Sequence, residues 1–237
     1  MNRKRLLALL YQDIRFELRH GMYTVYAVLS VIYIFLLRSL PETIQSRIAV
    51  ILLFSDPAVL GFFFIGGMVL LERKQRTLSA LACTPLQAGE YLAAKSISLA
   101  LLSLAACSII VLAGLKTPIS WGYLIIGVLL SSCWVTLVSI PFSLTADSLN
   151  DYFITAGGAL LLLCLPLFDL IFSLGWKAAY LFPTHASILL ITGAFRPISP
   201  GDTIYGIIYL AGASVLTWRW AAARLSARVL GGGDHED

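Results

Sequence analysis

The sequence predicts an all-α polytopic membrane protein, and three observations carry that expectation. Of 237 residues, 59% are hydrophobic and 13% charged, where a soluble domain runs near half and a quarter. Mean hydropathy is +0.86 over the whole length, which one anchor helix cannot produce. The apolar residues form long runs, unlike the short alternating stretches of a membrane barrel. The net charge of +4, from 17 Lys and Arg against 13 Asp and Glu, is too small and scattered for a nucleic-acid surface.

Residues 1–21 come first. Within RKRLLALLYQDIRFELRH, Leu7, Leu10, Tyr11, Ile14 and Leu18 recur at helical spacing, with Arg, Gln, Asp and Glu elsewhere. This predicts an amphipathic helix lying along the cytoplasmic interface, either as a basic anchor for the first span or as an elbow that carries force from a cytoplasmic partner. No small-residue cleavage pattern follows the first apolar run, so no removable signal peptide is expected.

A helix crosses the hydrocarbon with about 20 residues. Six stretches reach or approach that length: about 22–40, 48–71, 91–115, 121–145, 154–175 and 203–221. Together they predict one membrane domain over 22–221, with 222–237 as a cytoplasmic tail. Aromatics such as Tyr23, Trp121, Trp176 and Trp218 stand near span ends, at headgroup level. With the N-terminus inside and six crossings, 12 of the 17 cations lie on the cytoplasmic side, so the positive-inside rule puts both termini there. The segment 178–195 is apolar but interrupted by Pro183, Thr184 and His185. Making it a seventh crossing would turn 12 against 5 into 10 against 7, so it is expected to be external or re-entrant.

The loop after the second apolar run changes abruptly to charge at Glu72-Arg73-Lys74-Gln75-Arg76. It continues as Thr77-Leu78-Ser79-Ala80-Leu81-Ala82-Cys83-Thr84-Pro85-Leu86. Leu78 and Leu81 share a helical face, and Pro85 ends the helix. An apolar ridge in a charged collar suits docking into a groove of another protein, and a loop that merely turns the chain is the plainer reading.

Two acids stand inside apolar runs, where an ionised residue costs roughly 2.5–3.5 kcal/mol at a span centre. Asp56 precedes Pro57, so its carboxylate either pairs with backbone groups freed by the kink or lines a substrate path. Asp169 stands in the outer half of its span, where a cationic substrate or water would satisfy it. Asp147 and Asp151 read as a solvated turn with an N-cap at Asn150 or Asp151. Gly61, Gly66, Gly67, Gly157 and Gly158 would let helices approach closely. Cys83, Cys107, Cys133 and Cys164 lack metal-ligand spacing and read as small buried residues. His20, His185 and His235 are far apart in the topology, so no metal site is expected.

The chain resembles a known family. An amphipathic N-terminal helix, six spans, and a Glu72-led loop with Thr77-Leu78-x-Ala80-Leu81-x-x-Thr84-Pro85-Leu86 are followed by Glu90-Tyr91 and Lys95 opening the third span. This order resembles the membrane subunit of type-2 ABC exporters. It is most similar to permeases for fluoroquinolone export, which carry an Asp-Pro, here Asp56-Pro57, before the run Phe64 to Gly67. Residues 56–95 carry the specific matches.

The resemblance implies a permease subunit of an ATP-driven exporter of a lipophilic small molecule or drug, in the plasma membrane. It also implies a second permease subunit, identical or related, and a separate ABC ATPase. Glu72, Thr77, Leu78, Leu81 and Pro85 would form the coupling helix that sits in the ATPase cleft. Asp56 and Asp169 would be candidates for the substrate pathway. The family often has Gly where Arg76 stands, so the turn there departs from the pattern. The chain has no phosphate-binding Gly-rich loop, so ATP would be used by the partner and no cofactor is expected here. Two other classes compete: a membrane assembly or sensor protein without transport, and an intramembrane enzyme. The second lacks any serine elbow, paired aspartates or His-Glu-x-x-His motif.

Overall fold

The computed structural model describes residues 3–75, 77, 87–172 and 175–227. The described residues are helical and carry no strand. Helix α1 (Arg3–Arg19) turns at Gly21, φ 73°, into α2 (Met22–Ser39). In that left-handed region a side chain would strain the backbone, so glycine makes the tight corner between α1 and the first span.

The second apolar run is longer than its composition suggests. It is a continuous helical stretch, Glu42–Lys74, made of α3 (Glu42–Ser55), a π-helical turn (Asp56–Leu60) and α4 (Gly61–Lys74). Predicted bounds of 48–71 follow the apolar residues alone. The helix starts earlier, behind Pro41, and ends later, carrying Glu72 and Arg73 past the apolar run. Pro57 lacks an N–H and stands in the wide turn, whose bonding runs from the Gly61 N–H to the Asp56 carbonyl.

Next come α5 (Ala88–Gly114) and α6 (Trp121–Thr145), the latter with the predicted bounds. Gln87 and Glu90 cap α5 reciprocally, satisfying backbone donors at its start. The fifth predicted span, 154–175, is broken: α7 (Leu149–Leu163) and α8 (Leu165–Phe172) meet at 43°. Pro166 sits in the first turn of α8, where its ring fits a helix start but not a helix interior. The cap of α7 is Ser148, whose hydroxyl accepts from the Asp151 N–H, and not Asn150 or Asp151.

The segment 178–195 forms a 3₁₀ turn (Lys177–Leu181) and a short helix α9 (Pro183–Thr192). Ten residues rise about 15 Å, half the hydrocarbon thickness, so α9 alone cannot cross. It is buried against α6 and α3 and against the last helix, α10 (Pro200–Leu225). Helix α10 starts before and ends after the predicted 203–221 and enters the stretch expected as tail.

Among the described residues, four helical stretches are long and apolar enough to cross a membrane, and the bent α7–α8 pair makes a fifth if counted as one span. At the centre, α6 packs against α4, α5, α9 and α10, while α2 and α1 lie on α5. Val31, Phe35, Leu112, Ile154, Leu161 and Leu216 point outward as an exposed apolar girdle, which suits hydrocarbon and not water. Of the small residues expected at helix crossings, Gly66 is tightly packed: a Cβ there would lie 2.0 Å from the Tyr152 ring. Beside Gly67, Gly157 and Gly158 there is open space.

Candidate functional site

Ionisable side chains converge where α1, the end of α4 and the start of α5 meet. Lys95, about two turns inside α5, is 1% exposed. Its Nζ donates to Asp13 Oδ1 of α1 at 2.6 Å and to Glu72 Oε1 of α4 at 2.5 Å. The second Glu72 oxygen accepts from the Tyr91 hydroxyl at 2.7 Å. The Tyr91 and Phe16 rings lie 5.3 and 5.9 Å from Nζ, adding cation–π attraction. One turn along each helix, Glu17 Oε1 accepts from the Ser98 hydroxyl at 2.5 Å.

A buried cation is tolerable only when paired and fully hydrogen-bonded. Here the compensation ties three helices that are far apart in sequence. Breaking the set by removing one member would leave an uncompensated buried charge. Burial pushes the Glu17 carboxyl up to about 7, with the Ser98 bond opposing it.

Arg73, next to Glu72, fastens the same stem to α6. Its guanidinium donates to the Leu144 carbonyl at 3.3 Å and the Ala146 carbonyl at 2.6 Å. A cation there meets the last carbonyls of α6 and the negative end of the helix dipole. At the end of α2, Arg38 does the same for α5, donating to the Ala113 carbonyl at 2.8 Å.

Of the residues expected in a coupling helix, Glu72 belongs to this junction and Thr77 is half-buried nearby in sequence. Leu78, Leu81 and Pro85 lie outside the described residues. Asp13 and Glu17 are not singled out by sequence patterning. The predicted apolar side of α1 faces outward, with Leu7, Tyr11 and Leu18 exposed. The buried face is Leu9, Asp13 and Glu17. The legible signal was two acids one turn apart in an otherwise basic helix, with an isolated lysine in a later apolar run.

The two acids considered for a pathway are not brought together. Asp56 is buried at the head of the π turn. Its Oδ2 lies 3.7 Å from the Cys107 thiol, and Oδ1 has no hydrogen-bond partner among the described residues. The Tyr26 hydroxyl donates to the Asp56 carbonyl at 3.4 Å and lies 3.3 Å from the Ser103 hydroxyl. Asp169 instead lines a cavity at the bend of α8, and its Oδ1 accepts from the Trp176 N–H at 3.0 Å. Cys107, Cys133 and Cys164 are free thiols, and no group of three or more metal-ligating side chains occurs among the described residues.

Long apolar helices with an apolar girdle outside and ion pairs gathered within define a helical membrane protein. Residues 4–230 match the fluoroquinolones export permease protein family, and the chain belongs to it. It is therefore a membrane permease of an export family. Two relatives, both fluoroquinolones export permease proteins of Mycobacterium tuberculosis, come from strains CDC 1551 / Oshkosh and ATCC 25618 / H37Rv. Each is 30% identical over 215 residues, covering 86% of this chain and 88% of the relative.

Proposed function

We propose that the chain is the membrane-spanning subunit of an ATP-driven exporter that moves a lipophilic small molecule or drug out across the plasma membrane. It works as a pair with a second permease subunit, identical or related, and ATP is hydrolysed on a separate ABC ATPase. It is not itself an enzyme. The relatives' names, which specify fluoroquinolone export, support the drug class of cargo.

The observation that carries this reading is the Lys95 junction. Glu72 is the last acid before the loop, and through Lys95 it is bonded to Asp13 of α1 and lodged at the foot of α5. A push on the 72–86 loop is delivered at once to the interfacial helix and to two spans. That is the mechanical requirement for coupling a partner's closure to inward-open and outward-open states. In this reading Glu72, Thr77, Leu78, Leu81 and Pro85 form the helix that enters the ATPase cleft.

Six crossings fit the helix lengths. The four apolar stretches and the bent α7–α8 pair are joined by α10, whose 26 residues rise about 39 Å. An even number of crossings puts both termini on one side, and the 12 of 17 cations on that side make it the cytoplasm. Asp56 and Asp169 remain candidates for the pathway at different depths.

Affinity capture of the tagged chain from native membranes, with Leu81→Arg as the control, tests the reading. An ATP-binding subunit should co-purify with the wild type and be lost with the variant while membrane insertion is unchanged. Normal insertion without any ATPase partner would overturn it.

A further inference from the structure

The continuous helical stretch Glu42–Lys74 sets a distance across the molecule. Arg47 and Glu72 are 25 residues apart on it, about 37 Å at helical rise. That exceeds a hydrocarbon layer of about 30 Å, so Arg47 lies at the headgroup level opposite the Lys95 junction.

There it lines a cavity of about 320 Å³ with Pro166, Asp169, His185, Ile188 and Arg196. Three elements that are remote in sequence make the walls: α3, the bent-away α8, and α9 with the loop after it. Arg47 and Arg196 also line a smaller cavity of about 40 Å³ that shares Leu170 and Thr192 with the first. Arg196 stands four residues past the end of α9, its N–H donating to the Thr192 carbonyl at 3.1 Å. The His185 ring lies tilted beside the Tyr180 ring, centroids 4.5 Å apart, and its Nε2 is buried with no hydrogen-bond partner among the described residues.

We propose that this cavity binds the carboxylate or phosphate head of an amphipathic molecule. Guanidinium groups from two of the walls match an oxyanion, which they can hold by paired N–H donors, and guanidinium is weakly enough hydrated to work beside apolar surface. Among the side chains that line the cavity, two are arginines and one, Asp169, is an acid. One oxygen of Asp169 already accepts from the Trp176 N–H, which leaves this acid less of its charge to offer a cation. The volume exceeds what a head group fills, and Pro166, Leu170, Ile188 and Leu189 offer apolar wall to the rest of the ligand. Sequence reading allows a cationic substrate or water equally at Asp169.

Such a head belongs either to exported cargo leaving the protein, a source that rests on the exporter reading, or to a phospholipid of that leaflet. Binding to the permease alone, without ATP or ATPase, separates this site from that reading. Wild-type protein in phosphatidylcholine nanodiscs is titrated calorimetrically with octyl phosphate, octanoate, octanol and octylammonium, with empty nanodiscs subtracted. Octyl phosphate and octanoate should saturate while octanol and octylammonium do not. Arg196→Gln and Arg47→Gln should each weaken the anions at least tenfold, and Arg196→Lys should weaken them less. Asp169→Asn, whose amide oxygen can still accept the Trp176 N–H, should tighten them. In nanodiscs containing phosphatidylglycerol, loss of octanoate binding identifies a lipid headgroup as the occupant, and persistence identifies a soluble amphipath. The proposal is overturned if octanol or octylammonium binds as well as the anions. It is equally overturned if either Arg→Gln variant, with an unchanged unfolding profile, binds them with wild-type affinity.

Discussion

Lys95 Nζ meets Asp13 Oδ1 at 2.6 Å although 82 residues of chain separate them, which makes the interfacial helix a fixed part of the bundle through one buried ion pair. Replacing Lys95 with Met removes the cation and leaves Asp13 and Glu72 facing each other unpaired. Breaking a buried pair this way costs about 3–5 kcal/mol, and thermal unfolding of purified protein should show a drop of that order. The triple variant Asp13→Asn, Glu72→Gln, Lys95→Met removes all three charges and should recover most of the stability. If the junction transmits force, ATP-driven transport in vesicles with the partner ATPase should stay impaired in that triple variant. Full transport would reduce the junction to packing.

Arg73 holds the end of α6 through the Leu144 and Ala146 carbonyls. Hydrogen bonds from a charged donor contribute about 1.5–3 kcal/mol, so Arg73→Gln should lower stability within that range. Because the bonds close the last turn of α6, amide hydrogen exchange should quicken first at residues 142–146. Uniform acceleration over the chain would show that Arg73 has no such local role.

How much of this was legible in the sequence depended on what set each feature. Apolar length marks α2, α5 and α6 to within a few residues, because hydrocarbon thickness fixes it. It misplaces the ends of the Glu42–Lys74 stretch and of α10, where helices run beyond the bilayer on polar residues that apolarity cannot register. The break at Cys164 was readable in Pro166, but the 43° bend depends on what α8 packs against. For α1, amphipathicity gave the helix and not its orientation. With lipid beside it, the apolar ridge of Leu7, Tyr11 and Leu18 turns outward and the acids turn in, the reverse of a soluble helix. Arg47 and Arg196 share a cavity through packing of α3 against α9, and no local pattern announces that.

The Tyr152 ring occupies the space above Gly66, where an added Cβ would come within 2.0 Å of it. The same tyrosine donates its hydroxyl to the Phe62 carbonyl at 2.6 Å, locking α7 onto α4. Gly66→Ala must therefore push the ring aside or part the helices, and overpacking of this kind costs about 1–3 kcal/mol. Tyr152→Phe loses one hydrogen bond, about 1 kcal/mol, and keeps the packing. Thermal unfolding of the two variants should rank Gly66→Ala as the more damaging, and the reverse order would show that the close approach is relieved at no cost.

Glu17 gives the junction a pH dependence whose sign can be worked out. Burial raises its carboxyl from an ordinary 4.5 to about 7 in the folded protein. Between those values the docked helix holds a proton that the undocked helix releases, so docking is strongest below about 4.5 and weakens as pH rises through about 7. The Ser98 hydroxyl, 2.5 Å away, can meet either form, but only the neutral one avoids the desolvation of a charge. A spin label on exposed Tyr11→Cys reads the attachment of α1 directly. Its mobility should increase between pH 6 and pH 8 in wild-type protein and should be flat over the same range in Glu17→Gln, which stays neutral. An equal increase in Glu17→Gln would place the titrating group elsewhere, and a decrease in the wild type would reverse the sign derived from burial.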